Sequence, residues 1–403
     1  MPAIQVKRDI YWIGVNDRTT DLFEGVWPIT QGGVSYNSYL VLGEKKALID
    51  MAAGHHAAAF IDQVRDLIDP AELDYIVVNH MEPDHTGTAG LLGSLATNAE
   101  FLVSAKAAPM MASYYGLTEG IRRVKDGETL DLGGLTLQFH MVPFVHWPET
   151  MVTYVPEHKV LFSCDAFGGY GALPGRVFDD QCVDMPFYTR ESLRYYSNIV
   201  ARFSGPVLRA IEKLKGLEID VVAPSHGLVW RENPGYIIDL YGRWAQLATQ
   251  PADPGVTLVY GSMYGNTERM MNAVAEGVSR TQLPLEIFDV ARTHASYILP
   301  SLWTRSGVIV GAPTYEVSLF PPMSQALASA VHKKVMNRKA AYFGSFGWSG
   351  GALRELKQIV EPLKWEWLDT LEFAGAPTRD MLRDGEDFGE RFARALLVDS
   401  RDA

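Results

Sequence analysis

Short apolar runs, each closed by glycine, proline or a polar residue, recur through the first half of the chain. The runs at 10–15, 37–42 and 46–50 read as strands, the last two forming a hairpin that turns at Gly43-Glu44. Runs at 75–78, 101–104, 121–124, 135–140, 151–155, 160–163 and 219–223 also read as strands. Residues 57–68 place apolar positions at helical spacing instead, and Pro70 closes them. Residues 189–215 form a long helical stretch that carries Tyr195 and Tyr196. A different pattern begins after Gln250-Pro-Ala-Asp-Pro-Gly255, which reads as a linker. Strands expected near 256–260, 285–289, 307–311, 340–344 and 365–369 alternate with helical stretches, and 379–397 reads as a final helix. Such alternation argues for a parallel sheet covered on both faces, and five strands suggest the doubly wound order. Two domains are therefore expected, 1–249 and 250–403.

Composition narrows the class. A chain of 403 residues is too long for one ordinary core, and 47% apolar content with mixed charge suits a globular protein. The net charge of −12, without a basic run, argues against a nucleic-acid partner. Cys164 and Cys182, the two cysteines, have neither metal-knuckle nor redox-pair spacing. They fit a reducing compartment and exclude a Cys-rich iron–sulfur site. With no basic-then-apolar leader and no apolar run of bilayer length, the expectation is a cytoplasmic protein without a membrane partner.

The chemistry centres on His80-Met-Glu82-Pro-Asp84-His85, at the end of the strand at 75–78. His146 follows in a loop constrained by Pro143 and Pro148, Asp165 just past the strand at 160–163, and His226 just past the strand at 219–223. Imidazole with carboxylate suits iron, zinc or manganese. Seven candidate ligands exceed the need of one tetrahedral zinc and suit two ions sharing a bridge, with positions left for substrate. His55 and His56 are read as a solvated loop or helix start instead. Gly168-Gly-Tyr-Gly171 is expected to form a flexible lip over the site.

In the second half, Gly261-Ser-Met-Tyr-Gly-Asn-Thr267 joins a strand to a helix, where hydroxyls and amides can cradle one phosphate. The absence of a Gly-x-Gly-x-x-Gly fingerprint and of a P-loop disfavours a dinucleotide and nucleotide hydrolysis. Two more loops, Gly311 to Glu316 and Gly344 to Gly351, lie at carboxyl ends of strands. Tyr315 and Trp348 could flank a flat ring there, with glycines admitting its edge.

Taken together, His80-x-Glu82-x-Asp84-His85, His146-Trp-Pro148, Asp165 and His226 resemble the pattern of the flavodiiron proteins, also called A-type flavoproteins. Gly33 to Tyr39 and Ser225 to Trp230 match as well. The resemblance implies an N-terminal metallo-β-lactamase-like αββα sandwich followed by a flavodoxin-like doubly wound parallel sheet. It implies that His80, Glu82 and His146 hold one iron and that Asp84, His85 and His226 hold the other. Asp165 and an oxo or hydroxo group would bridge them. Tyr195 would lie near the substrate pocket as a catalytic residue. Glu82 stands where hydrolases of this fold have a histidine, which shifts the expectation from zinc to iron. FMN would be held by Ser262, Tyr264, Gly265, Asn266 and Thr267, by Pro313, Thr314 and Tyr315, and by Ser345, Phe346, Gly347, Trp348, Ser349, Gly350 and Gly351.

The implied enzyme is an oxidoreductase that passes electrons from a soluble donor through FMN to the diiron site. It would reduce dioxygen to water, nitric oxide to nitrous oxide, or both. Rubredoxin, a reduced deazaflavin and an NADH-linked reductase are the implied donors, and a head-to-tail homodimer the implied assembly. No fused rubredoxin or flavin reductase domain is expected after the last helix. Glu24 replaces a histidine that many members carry before Gly25, so the choice between dioxygen and nitric oxide stays open. Two other readings are a dimetal hydrolase of the β-lactamase fold and a flavodoxin-like electron carrier without terminal reductase activity. Glu82 and the flavin-type loops weigh against the first, and the complete ligand set weighs against the second.

Overall fold

Gly14 splits the first expected strand in two. A Cβ there would lie 2.6 Å from both the Trp12 ring and the Tyr36 carbonyl. Ile10–Trp12 and Val15–Asp17 consequently join different sheets. The computed structural model describes residues 2–402, and these divide into two units, one up to Ala245 and one from Gln246 onward.

The first unit contains a seven-stranded sheet in the order Ile4–Lys7, Ile10–Trp12, Tyr39–Leu42, Lys46–Ile49, Tyr75–Val78, Glu100–Ser104, Ile121–Val124. Its pairing is antiparallel as far as Lys46–Ile49 and parallel beyond. A five-stranded sheet runs Thr129–Asp131, Thr136–Met141, Met151–Val155, Val160–Cys164, Val221–Pro224, with only the last pair parallel. The sheets meet where Tyr39 packs on Phe162, ring centroids 5.0 Å apart, and the Tyr39 hydroxyl donates to the Pro224 carbonyl at 2.8 Å. Every residue of Tyr75–Val78, Met151–Val155, Val160–Cys164 and Val221–Pro224 is buried. Covering both faces of these strands explains why they read as apolar runs rather than as alternating ones. This is the expected metallo-β-lactamase-like sandwich.

The helical stretch expected at 189–215 is broken. Met185–Tyr195 gives way to a π turn, Tyr196–Val200, a 3-10 turn, Ala201–Phe203, and a second helix, Ser204–Leu214. The Ser197 hydroxyl donates to the Arg194 carbonyl at 3.0 Å, and the Asn198 amide donates to the same carbonyl. Side chains that capture a helical carbonyl compete with the backbone ladder, a pull that apolar periodicity does not register.

In the second unit the sheet is wholly parallel, in the order Leu285–Asp289, Asp253–Tyr260, Arg305–Gly311, Lys339–Phe346, Glu366–Ala374. This is the flavodoxin-like order. Asp253–Tyr260 starts inside the expected linker, with an irregular register between Asp253 and Val256. Val256, Leu258, Ile309 and Phe343 of the sheet pack with Met270, Val274, Phe388 and Phe392 of two helices, Asn266–Ser279 and Arg379–Asp402. Among the described residues, no helix is long and apolar enough to cross a membrane.

Candidate metal centre and flavin loops

Tyr75–Val78 ends at Asn79, whose backbone and side-chain nitrogens donate to the Asp50 carboxylate at 2.8 and 2.9 Å. The Thr153 hydroxyl donates to the Asn79 amide oxygen at 2.8 Å. These bonds pin the end of the strand, so His80 and Glu82 leave it in a set direction. Pro83 then opens a short helix, Pro83–Thr86, that carries Asp84 and His85. Asp50, Phe144 and Cys164 hold φ values of 55°, 67° and 52°. A left-handed backbone without glycine costs about 1–2 kcal/mol per residue. All three turn chain ends around this cluster, where such strain concentrates.

The structure brings all seven expected ligands together in two groups. His80 Nε2 lies 3.2 Å from Glu82 Oε2, and His146 Nε2 lies 3.0 Å from the same oxygen. Both imidazoles face Asp165 Oδ2, at 3.4 and 3.2 Å. On the other side His85 Nε2 lies 3.3 Å from Asp84 Oδ1, and His226 Nε2 lies 3.2 Å from Asp84 Oδ2. These two face Asp165 Oδ1, at 3.0 and 3.3 Å. Asp165 thus gives one oxygen to each group.

Although these are ion-pair distances, both oxygens of Asp84 and of Asp165 lack a hydrogen bond, as do His85 Nε2 and His226 Nε2. Leaving such groups buried and unsatisfied is costly, and native interiors rarely do so. Lone pairs that converge on shared points, rather than on each other, are what a metal pair requires, so the residues fit two ions. The outer partners agree. His80 Nδ1 donates to Glu149 Oε1 at 2.7 Å, and His226 Nδ1 donates to the Ser35 carbonyl at 2.7 Å. With the proton on Nδ1, each Nε2 lone pair faces inward. Glu149 also accepts the Met81 amide at 3.0 Å.

Without ions the site must balance its own charge. Burial pushes the His80 and His146 imidazoles down, but carboxylate partners outweigh it and hold both at about 10. His85 and His226 are held at about 9 in the same way. Burial pushes the Asp165 carboxyl up, and His85, His146 and His226 reverse this to hold it well below the ordinary range.

A cavity of about 350 Å³ opens onto the cluster, with Phe23, Glu24, Tyr36, His55, Glu82 and Asp84 in its lining. His55, expected to be merely solvated, therefore belongs to the rim. Tyr195 is buried with its ring centroid 5.6 Å from that of His226 and 5.1 Å from that of Tyr170. The expected flexible lip is not one. Gly168 to Gly171 are buried, and a Cβ on Gly169 would meet the Ser192 hydroxyl at 2.4 Å. Glu149 was missed, although it follows His146 closely in His-Trp-Pro-Glu. The spacing of potential ligands gives no sign of which carboxylate faces a ligand's far nitrogen. Asp17 and Tyr36 carried no ligand pattern either.

In the second unit, the Ser262 hydroxyl accepts the Gly265 amide at 3.0 Å, at the start of the helix Asn266–Ser279. The Thr267 hydroxyl lies 2.9 Å from that of Ser345, tying the first loop to the third. Thr314–Tyr315 pairs with Ser318–Leu319 in a small hairpin. Its turn residues Glu316 and Val317 have φ of 49° and 63°, and a Cβ on Gly351 would come within 2.0 Å of the Val317 carbonyl. Glycine there lets the hairpin lie against the third loop. Phe346, Gly347, Ser349 and Gly350 continue that third loop beyond Ser345, and Pro313 precedes the hairpin. Tyr264 is 90% exposed and Trp348 84%, with Tyr315 also exposed. Bare aromatic rings beside hydroxyls at a helix start fit a planar ligand that carries a phosphate.

Residues 34–227 match the family described as ODP family beta lactamase, and residues 258–389 match the flavodoxin family. The anaerobic nitric oxide reductase flavorubredoxin of Escherichia coli K12 is 35% identical over 398 residues, covering 97% of this chain and 82% of the relative. The rubredoxin oxygen:oxidoreductase of Desulfovibrio gigas superposes with a TM-score of 0.93 at 28% identity, covering 98% of this chain and 99% of that one. The flavodiiron protein of Giardia intestinalis superposes with a TM-score of 0.92 at 28% identity, covering 99% and 97%.

Proposed function

This chain belongs to the flavodiiron protein family, and from that premise we propose how its two sites divide one reaction. It is an oxidoreductase that passes electrons from a soluble donor through FMN to a diiron centre, which reduces dioxygen to water, nitric oxide to nitrous oxide, or both. The observation that carries the reading is the Asp165 carboxylate, whose oxygens face separate His/carboxylate groups. His80, Glu82 and His146 would hold one iron, and Asp84, His85 and His226 the other, with Asp165 and an oxo or hydroxo group as bridges. When bound, FMN supplies a store of electrons, and the iron pair supplies them to the gas.

The chain's own residues set the conditions. Glu149 and the Ser35 carbonyl keep protons on the outer nitrogens of His80 and His226, so the inner ones can bind cations. Glu82 and Asp84 line the cavity, so an entering diatomic would meet one residue of each group. Phe23 and Tyr36 give that cavity apolar walls, and a small gas needs no polar recognition group. Trp27 donates to Glu24 at 3.1 Å and holds this carboxylate at the mouth. Tyr195 backs His226, which supports a positioning role for it. In the second unit, Ser262, Gly265, Asn266 and Thr267 would hold the phosphate, and Tyr264, Tyr315 and Trp348 would cover the ring.

The electron donor is a soluble carrier of the rubredoxin type, a reduced deazaflavin or an NADH-linked reductase, and the compartment the cytoplasm. The assembly is a head-to-tail homodimer in which one subunit's FMN serves the other's irons. A variant changed at Asn266 and Thr267, mixed with one changed at His146 and Asp165, should regain activity in heterodimers verified by native mass spectrometry. Verified heterodimers that stay inactive would refute the cross-subunit pairing.

The activity itself is tested with prereduced protein given limiting dioxygen or nitric oxide. Flavin reoxidation with water rather than hydrogen peroxide as product, or with nitrous oxide, is expected. Peroxide as the sole oxygen product, with nitric oxide untouched, would contradict the reading.

A further inference from the structure

Asp17 is fully buried, yet two histidines from another part of the chain reach it. His55 and His56 lie on the short turn Gly54–His56, with ring centroids 4.3 Å apart. Each places Nε2 3.0 Å from Asp17 Oδ2. The Tyr36 ring lies between this group and the main cluster, 5.8 Å from His56 and 5.7 Å from His226.

Protons alone account poorly for the arrangement. Asp17 Oδ1 already accepts the Thr19 amide, the Thr19 hydroxyl and the Thr20 amide, at 2.8, 3.0 and 2.9 Å. Oδ2 accepts the Thr20 hydroxyl at 2.6 Å and pairs with His55 at 3.0 Å. A carboxylate offers about four lone-pair sites. The His56 nitrogen, equally close, is left buried without a hydrogen bond. A cation would replace that crowding with three bonds from lone pairs. Ligands about 2.0–2.1 Å from a tetrahedral ion sit roughly 3.4 Å apart, close to the separations found here.

We propose that Asp17, His55 and His56 form a separate mononuclear metal site for a divalent cation of the zinc and cobalt class. Two imidazoles with one carboxylate suit such ions, and the exposed side of His55 leaves a coordination position to solvent. The bound ion ties the loop that follows Asp17, which carries Phe23 and Glu24, to the turn that carries His55. Both segments line the cavity, so the site fastens its rim.

Cobalt(II) is the probe. Protein whose main centre is already loaded with iron is titrated anaerobically with cobalt(II) and desalted, and both metals are counted. One cobalt taken up on top of unchanged iron, with the visible bands of four-coordinate cobalt, is expected. His55→Ala, at a half-exposed side chain, should keep its iron and lose the cobalt, and His56→Ala should do the same. No cobalt uptake by the iron-loaded protein, or full uptake by both variants, overturns the proposal.

Discussion

The two sites solve opposite problems. In the first unit, carboxylates and imidazoles are buried before any ion binds, and Asp84 and Asp165 have no hydrogen bond to satisfy them. Glu149, Ser35 and Asn79 hold the cluster in place through hydrogen bonds from the sheets and loops around it. In the second unit, the loops leave Tyr264 and Trp348 almost wholly in water, and one hydroxyl pair, Thr267 with Ser345, links the first loop to the third. Without ions the metal site balances its carboxylates with protonated histidines, while open loops gain order from their ligand. Damage to one site should therefore stay within its own unit.

Asp165→Ala should have the largest effect. Each group loses its oxygen of the carboxylate they share, so the iron pair and the reductase activity should be lost while FMN stays bound. Parallel iron and flavin assays check it, and simultaneous loss of FMN would show that the sites are not independent.

Proton competition should be the next largest effect. In the metal-free protein, His80 and His146 keep their protons up to about 10, and His85 and His226 up to about 9. These values lie above about 6.5 for an unfolded histidine. The stabilisation from these charged pairs is thus complete between about pH 4.5, below which the carboxylates of the unfolded chain protonate, and about pH 6.5, and is lost as pH rises through 9 to 10. Metal uptake runs the other way. Each displaced proton weakens binding about tenfold per pH unit as pH falls. Metal titrations across this range should steepen accordingly, whereas FMN affinity should show no matching slope. Thermal unfolding of the metal-free protein checks the stability half.

Glu149→Ala removes the partner of His80 without touching a ligand atom. Outer partners of metal-bound histidines typically contribute about 10–100-fold in affinity, and a loss of that order is expected, again with FMN retained. The smallest effect belongs to Ser345→Ala. It deletes the hydroxyl link to Thr267, worth about 1 kcal/mol, so FMN affinity should fall about fivefold with iron content unchanged.

Different amounts of each site were legible in the sequence, for physical reasons. The three central strands of the second unit were legible because parallel strands buried on both faces appear as uninterrupted apolar runs, while the part-exposed edge strands Leu285–Asp289 and Glu366–Ala374 were placed by their alternation with helical stretches. The seven-residue cluster was legible because each ligand lies just beyond such a run or in a proline-bounded loop. What escaped depended on contacts distant in sequence. Glu149 acts on His80 from 69 positions away, and Asp17 meets His55 from 38. The glycine-containing segment at 168–171 suggested motion, but the surrounding side chains bury it. The break after Tyr195 came from Ser197 and Asn198 bonding to one carbonyl.

In our proposal the Asp165 carboxylate joins two iron sites. Iron analysis combined with Mössbauer spectroscopy of anaerobically purified, iron-replete protein tests it most directly. Two irons per chain, magnetically coupled as a pair, are expected. Zinc at full occupancy without iron, or irons that show no coupling, would contradict it.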